Sequence, residues 1–370
     1  MRKSLILLAL ASVAAMVACN KTQLIQEPPG ADAISFRPLM NSMTKAVDNT
    51  LTTLEANGFY VLARYNSGSA AYFSDTHYTW NSTSWITATP NYWPSDDTAI
   101  DFYAYAPAAT GQITGHDAAD NYKTFVVTPS TTVSEQVDFI FAYTENQNKT
   151  DNGSGVALTF RHAESKVIIK LKNSNANQNI WVSSVSLANI KGAGTYAYTG
   201  ESESKLKVAD WSVTAAPTAV YTQAITGAAQ DDFTTATAAA AGDAMVLIPQ
   251  TLTTAEGYAS TGTHEYAGAC IKVNLKVQNK AGGNWIVGAA SGEGEYVTVM
   301  WPLAANSWVP GMAYTYTVDL AGGGYAPVDP TPGDGGAPTP VINPALEISF
   351  LTPSVDTWTD AAGIAVPPAA

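Results

Sequence analysis

Apolar and polar residues alternate through most of the chain, in short runs closed by Gly, Asn, Asp, Ser or Pro. Side chains of a strand point to opposite faces in turn, so this pattern predicts half-buried strands rather than helices. Ala33-Ile34-Ser35-Phe36 begins the series and is closed by Pro38. Phe59 to Tyr65, Ala70 to Phe73, Tyr78 to Ile86, Ile100 to Tyr105, Thr124 to Val127 and Val137 to Tyr143 continue it. After a polar break at Asn146 to Gly155 the pattern resumes with Val156 to Phe160, Ser165 to Lys172, Ile180 to Leu187 and Gly194 to Tyr198. Ala244 to Ile248, the stretch around Cys270, Trp285 to Val287, Tyr296 to Trp301 and Tyr314 to Leu320 complete it. No helical period competes, and Thr234 to Ala241 fits a short helix or a loop equally. Two blocks of short strands predict an all-β chain of two tandem β-sandwiches, 33–155 and 156–325, divided at the polar break.

Both ends depart from this pattern. Met1-Arg2-Lys3 precedes an apolar run from Leu5 to Ala18, too short for a bilayer span and laid out as a secretory signal, residues 1–18. Met16-Val17-Ala18-Cys19 is similar to a bacterial lipobox, so Cys19 is the expected lipidation site and 19–32 a spacer from the anchor. This predicts an outer-membrane lipoprotein precursor exposed at the cell surface. At the other end, 326–345 holds six prolines and three glycines and reads as an extended linker. Apolar residues then return at Leu346, Ile348 and Phe350, making 346–370 a strand on a tether.

Charge narrows the partners. The formal charge is −13, and loss of Arg2 and Lys3 with the leader takes it to −15, which argues against nucleic acid. With Cys19 acylated, Cys270 is the only thiol; no intrachain disulfide forms, and its apolar setting marks an inert core residue. His77, His116, His162 and His264 lack metal-ligand spacing, and no nucleophile elbow or phosphate-cradling loop is present. The expectation is a non-enzyme with no cofactor and no metal. Asp151-Asn152-Gly153 reads as a turn before it reads as a calcium ligand set. Trp80, Trp85, Tyr92 and Trp93 serve either sheet packing or sugar stacking, the first being the commoner use.

Several segments, taken in order, resemble the fimbrillin family of surface pilins. They are Ala33 to Phe36, Thr44-Lys45-Ala46, Tyr92-Trp93-Pro94, Asp101 to Pro107, Leu158-Thr159-Phe160-Arg161-His162-Ala163-Glu164-Ser165-Lys166-Val167, and Trp308 to Tyr316. The resemblance implies two transthyretin-like sandwiches, export as a lipoprotein, and trimming by a trypsin-like surface protease. It further implies self-polymerisation, or assembly with related fimbrillins, by donation of a strand into the groove that trimming opens. The residues supply a physical counterpart: Ile34-Ser35-Phe36 recurs as Ile348-Ser349-Phe350, so Ile348 and Phe350 match the inward side chains of a displaced strand bearing Ile34 and Phe36. Lys45, in a polar loop, is the expected cleavage site ahead of Arg37, whose bond to Pro38 resists such proteases. The expected function is a structural fimbrial subunit with a role in adhesion. The alternative is a monomeric glycan-binding surface lipoprotein or tip adhesin, with surface glycans as ligands.

Overall fold

The computed structural model describes residues 32–40, 50–66, 71–109, 111–115, 124–202, 205–213, 218–225, 239–255, 257–292, 294–321, 323–330, 339–342 and 351–358. Among these the chain is all-β, with four principal sheets arranged as two packed pairs. In the first pair a seven-stranded sheet runs in the order Phe36–Met40, Val156–His162, Ile140–Gln147, Ile100–Ala106, Phe59–Tyr65, Ala71–Trp80, Trp85–Ile86. A four-stranded sheet, Trp211–Ser212, Gly194–Ala197, Thr124–Val127 and Ile113–Thr114, covers one face of it through Tyr103, Phe125, Phe141 and Tyr196. The opposite face is buried too, around Phe59, Val61, Phe102, Ala104 and Phe160. Burial on both faces explains why Ile100–Ala106 is buried along its whole length and is apolar or aromatic apart from Asp101, which accepts from the Asn146 N–H.

The polar stretch expected to divide the domains has a different place. Ile140–Gln147 and Val156–His162 are antiparallel partners, Phe141 opposite Arg161, so Asn146 and Gln147 end a strand and 148–155 is the loop of a hairpin. Residues beyond it, Gly194–Ala197 and Trp211–Ser212, build the first core by pairing through Thr124–Val127. Asp151 and Asn152 close a turn on Asn148, as the turn reading expects.

The second pair joins Thr218–Ala224, Gln178–Lys191, Cys270–Asn279, Val297–Pro302, Gly324–Tyr325 and Pro340–Ile342 to a smaller sheet built on Ser165–Lys172 and Met312–Asp319. Alternate residues of each strand, among them Val167, Ile169, Leu171, Val273, Leu275, Tyr316 and Val318, fill the core between them. Trp308 is wholly buried there, and its indole nitrogen donates to the Tyr316 hydroxyl at 3.0 Å. Cys270 is also wholly buried, and burial pushes its thiol up to about 12, consistent with an inert residue.

Three local expectations are corrected. The first strand does not stop at Pro38 but runs Phe36–Met40, parallel to Val156–His162 and at the sheet edge. Ser35 accepts from the Val156 N–H, so the bonding residues are Ser35, Arg37 and Leu39, and the missing N–H of Pro38 faces away from the ladder. A helix forms at Leu51–Asn57, started by a capping box between Thr50 and Thr53 and held by buried Leu54; seven residues are too few to show a helical period. The proline-rich 326–345 is not strandless, since Pro340–Ile342 pairs with Gly324–Tyr325 and buries Ile342. Proline fits there because it opens the strand.

Candidate functional site: a plugged sheet and a docked tail

The segment before the first helix is held at both ends. Asp32 accepts from the Trp93 N–H and Ile34 donates to Asn91, tying its start to the chain that follows Trp85–Ile86. Its end pairs with Val156–His162 at the other edge of the sheet. One short ribbon therefore spans from one side of the sheet to the other across the aromatic core. Ile34, Phe36 and Pro38 point in; Ser35, Arg37 and Leu39 point out. The Phe36 ring is edge-on to Tyr78 at 4.8 Å, Phe102 at 5.2 Å and Phe59 at 6.2 Å. Outside, the Arg37 guanidinium donates from Nε to the Gly155 carbonyl at 3.0 Å, and Lys149 contacts the Asp32 carboxylate in an exposed ion pair. Arg37 is thus engaged in a ladder as well as followed by proline, a poor posture for a protease that needs extended, unpaired chain.

The family-like segments among the described residues, scattered in sequence, converge on this core and on the junction between the two pairs of sheets. Phe36, Trp93, Phe102, Leu158 and Phe160 share the plugged core, with Trp93 against Phe102 at 5.9 Å. His162, at the end of one sheet, leads within three residues to Ser165, at the start of the other. There the Gly311 N–H donates to the Glu164 carbonyl and the Ser165 hydroxyl to the Val309 carbonyl at 2.9 Å.

The tail docks at the same junction. Leu351 bridges Leu303, and Ser354–Thr357 pairs antiparallel with Met312–Asp319 at the sheet edge. Trp358 is 4% exposed, lies flat on His162 with ring centroids 3.9 Å apart, and has the Lys166 ammonium 5.2 Å from its ring centre. His162 Nδ1 lies 2.9 Å from the Asp138 carboxylate, so this histidine is hydrogen-bonded. The tail anchor Trp358 was visible in the sequence only as one apolar residue among several; no periodicity pointed to it.

Glu164 sits wholly buried beside these groups and accepts from the Phe139 N–H at 2.8 Å. Burial raises its carboxyl well above the usual carboxylate range; the Phe139 N–H opposes this, Asp138 adds to it, and His162 opposes it. A raised folded-state value means that folding favours the protonated form, so this contribution is complete below the ordinary carboxylate range and is lost as pH rises through the raised value. Glu164→Gln, which keeps an acceptor for Phe139, is expected to stabilise the chain at pH 8 by about 1 kcal/mol or more and to leave it unchanged at pH 4. Thermal melts of both forms across that range measure the difference.

Of the other residues singled out, Cys19, Lys45, Leu346, Ile348 and Phe350 lie outside the described residues. In the aromatic group, Trp93 is buried, Trp85 packs on Phe59 at 4.9 Å and on Trp80 at 5.4 Å, and Tyr92 is exposed. These rings chiefly support the plugged core. Among the described residues no group of three or more His, Cys, Asp or Glu could hold a metal ion.

Comparison with known proteins agrees with this convergence. The family model described as fimbrillin-like matches residues 44–332. A fimbrium subunit, Fim1C of Phocaeicola vulgatus, is 26% identical over 210 residues, covering 49% of this chain and 55% of that subunit, so the match spans about half of the relative's length. A crystal structure of a fimbrial protein from Bacteroides vulgatus superposes with a TM-score of 0.53 at 17% identity, covering 89% of this chain and all of that one, which establishes the shared fold. The chain belongs to the fimbrillin-like family.

Proposed function

We propose that the protein is a structural subunit of a cell-surface fimbria, made as a lipoprotein acylated at Cys19, trimmed after Lys45 and polymerised by strand donation. The observation that carries this reading is the removable plug. A single ribbon, 32–40, inserts three inward side chains into the core of the first sheet, and Lys45 lies in the sequence between it and the helix Leu51–Asn57. A cut after Lys45 separates the ribbon from the rest of the chain, and loss of the ribbon would expose the apolar floor of Phe59, Tyr78 and Phe102 together with the unpaired edge of Val156–His162. An open edge with alternating apolar sockets is what a donated strand completes. Ile348 and Phe350, from the tail of a second copy or of a related subunit, match the vacated sockets in order and spacing.

The docked tail favours a second reading, a monomer that keeps its own C-terminus and serves as a glycan-binding surface lipoprotein or tip adhesin. The two readings separate in one experiment. Treatment with a trypsin-like protease is expected to give chains beginning at Ala46 and ladders that resist unheated detergent. Deleting 346–370 should leave the cleavage intact and abolish the ladders. A discrete monomer from the full-length chain after complete cleavage would instead rule out polymerisation and leave the monomeric reading.

A further inference from the structure

The large sheet of the first pair extends past the four-stranded sheet that covers it. Phe141 and its cross-strand partner Arg161 lie at this limit, Phe141 in the core and Arg161 only half-buried. One step further along the same face stand Tyr143 and then Glu145 on one strand and Thr159 on the other. They line a cleft of about 560 Å³, and the turn at Tyr198 to Gly200 forms its far wall. That volume lies within the range of about 300–1,000 Å³ typical of small-molecule sites.

The wall is fixed rather than loose. The Thr199 hydroxyl donates to the buried Asp210 carboxylate, and the Lys207 ammonium donates to the Thr199 carbonyl at 3.3 Å. The Tyr143 and Tyr198 rings meet at 4.9 Å and 51°, and Tyr103 backs Tyr143 at 4.7 Å. Tyr143 donates to the exposed Glu145 carboxylate at 3.1 Å. The cleft therefore has a supported aromatic face, a carboxylate that can accept, a guanidinium whose N–H groups are donors, and Thr144 and Thr159 in its lining.

We propose that this cleft binds a neutral pyranose, its C–H face against Tyr143 and its hydroxyls shared between Glu145 and Arg161. One negative and one positive side chain line it, so neither an anionic nor a cationic ligand is favoured. An aromatic face combined with hydroxyl-matching groups suits a ring that is apolar on one side and rich in hydroxyls at its rim. Thr159 pairs with Leu39 of the ribbon, but the cleft lies on the sheet face opposite the one that holds Phe36, Leu158 and Phe160.

Saturation-transfer NMR on the full chain with the methyl glycosides of glucose, galactose, mannose and N-acetylglucosamine tests it. At least one glycoside is expected to receive saturation. Glu145→Ala, whose carboxylate is exposed and outside the core, should weaken binding at least tenfold. Thr159→Trp, which places an indole in the cleft, should abolish it; should that variant not fold, Glu145→Ala alone decides. No transfer to any of the four, or transfer unchanged in Glu145→Ala, overturns the proposal.

Discussion

Phe36→Ala is expected to destabilise the untrimmed chain by about 3–5 kcal/mol, seen as a fall in melting temperature on the order of 10 °C. The ring is 4% exposed and edge-on to three aromatic neighbours, so truncation removes apolar contact and several favourable ring pairs at once. The cavity cannot close easily. Phe59, Tyr78 and Phe102 are fixed in ladders whose strands would have to move together. Arg37→Ala, one position along and pointing outward, should cost about 1 kcal/mol or less, because it loses one partly exposed hydrogen bond to Gly155. The contrast between neighbours separates a plug held by its inward face from a strand held by its backbone alone. Equal melting temperatures for the two variants would remove the ribbon from its place in the core.

The same asymmetry explains why trimming would prime assembly. A ribbon that contributes several kcal/mol leaves an equally large unfilled demand when it departs, and that demand is directional because it sits beside an open strand edge. The tail is held differently. The four residues of Ser354–Thr357 are all exposed, so docking on the parent chain rests on a short backbone ladder, on Leu351 against Leu303 and on Trp358.

Local order was largely legible in the sequence; long-range order was not. Phe59–Tyr65, Thr124–Val127 and Ser165–Lys172 were read with their observed limits, because strand period and turn residues are local signals. Ala71–Trp80 was read as two strands since Ser74, Asp75, Thr76 and His77 interrupt its apolar pattern; Asp75 adopts a φ of 51° within the strand and accepts from the Tyr105 hydroxyl. Which strand covers which sheet is carried by contacts between residues far apart. Tyr196 and Trp211 reach back to the first core across residues that belong to the second, and no window of sequence reports that. At the site, the inward set Ile34 and Phe36 followed from alternation. Trp358 and the ribbon's second attachment at Asn91 to Trp93 did not, because each depends on contacts with residues far away in the sequence.

Strand exchange itself is tested most directly by a pair of introduced cysteines, Ala157→Cys and Leu351→Cys. If Ile348 and Phe350 take the sockets of Ile34 and Phe36, Leu351 takes the place of Arg37, whose cross-strand partner is Ala157. Paired Cα atoms then fall within the roughly 4.4–6.8 Å that a disulfide spans, and buried Cys270 does not compete. After trimming and mild oxidation, the double variant is expected to run as a ladder of covalent multimers that collapses on reduction, while the untrimmed chain stays a monomer. A trimmed, oxidised chain that remains monomeric, or a ladder formed equally well without trimming, would contradict the account.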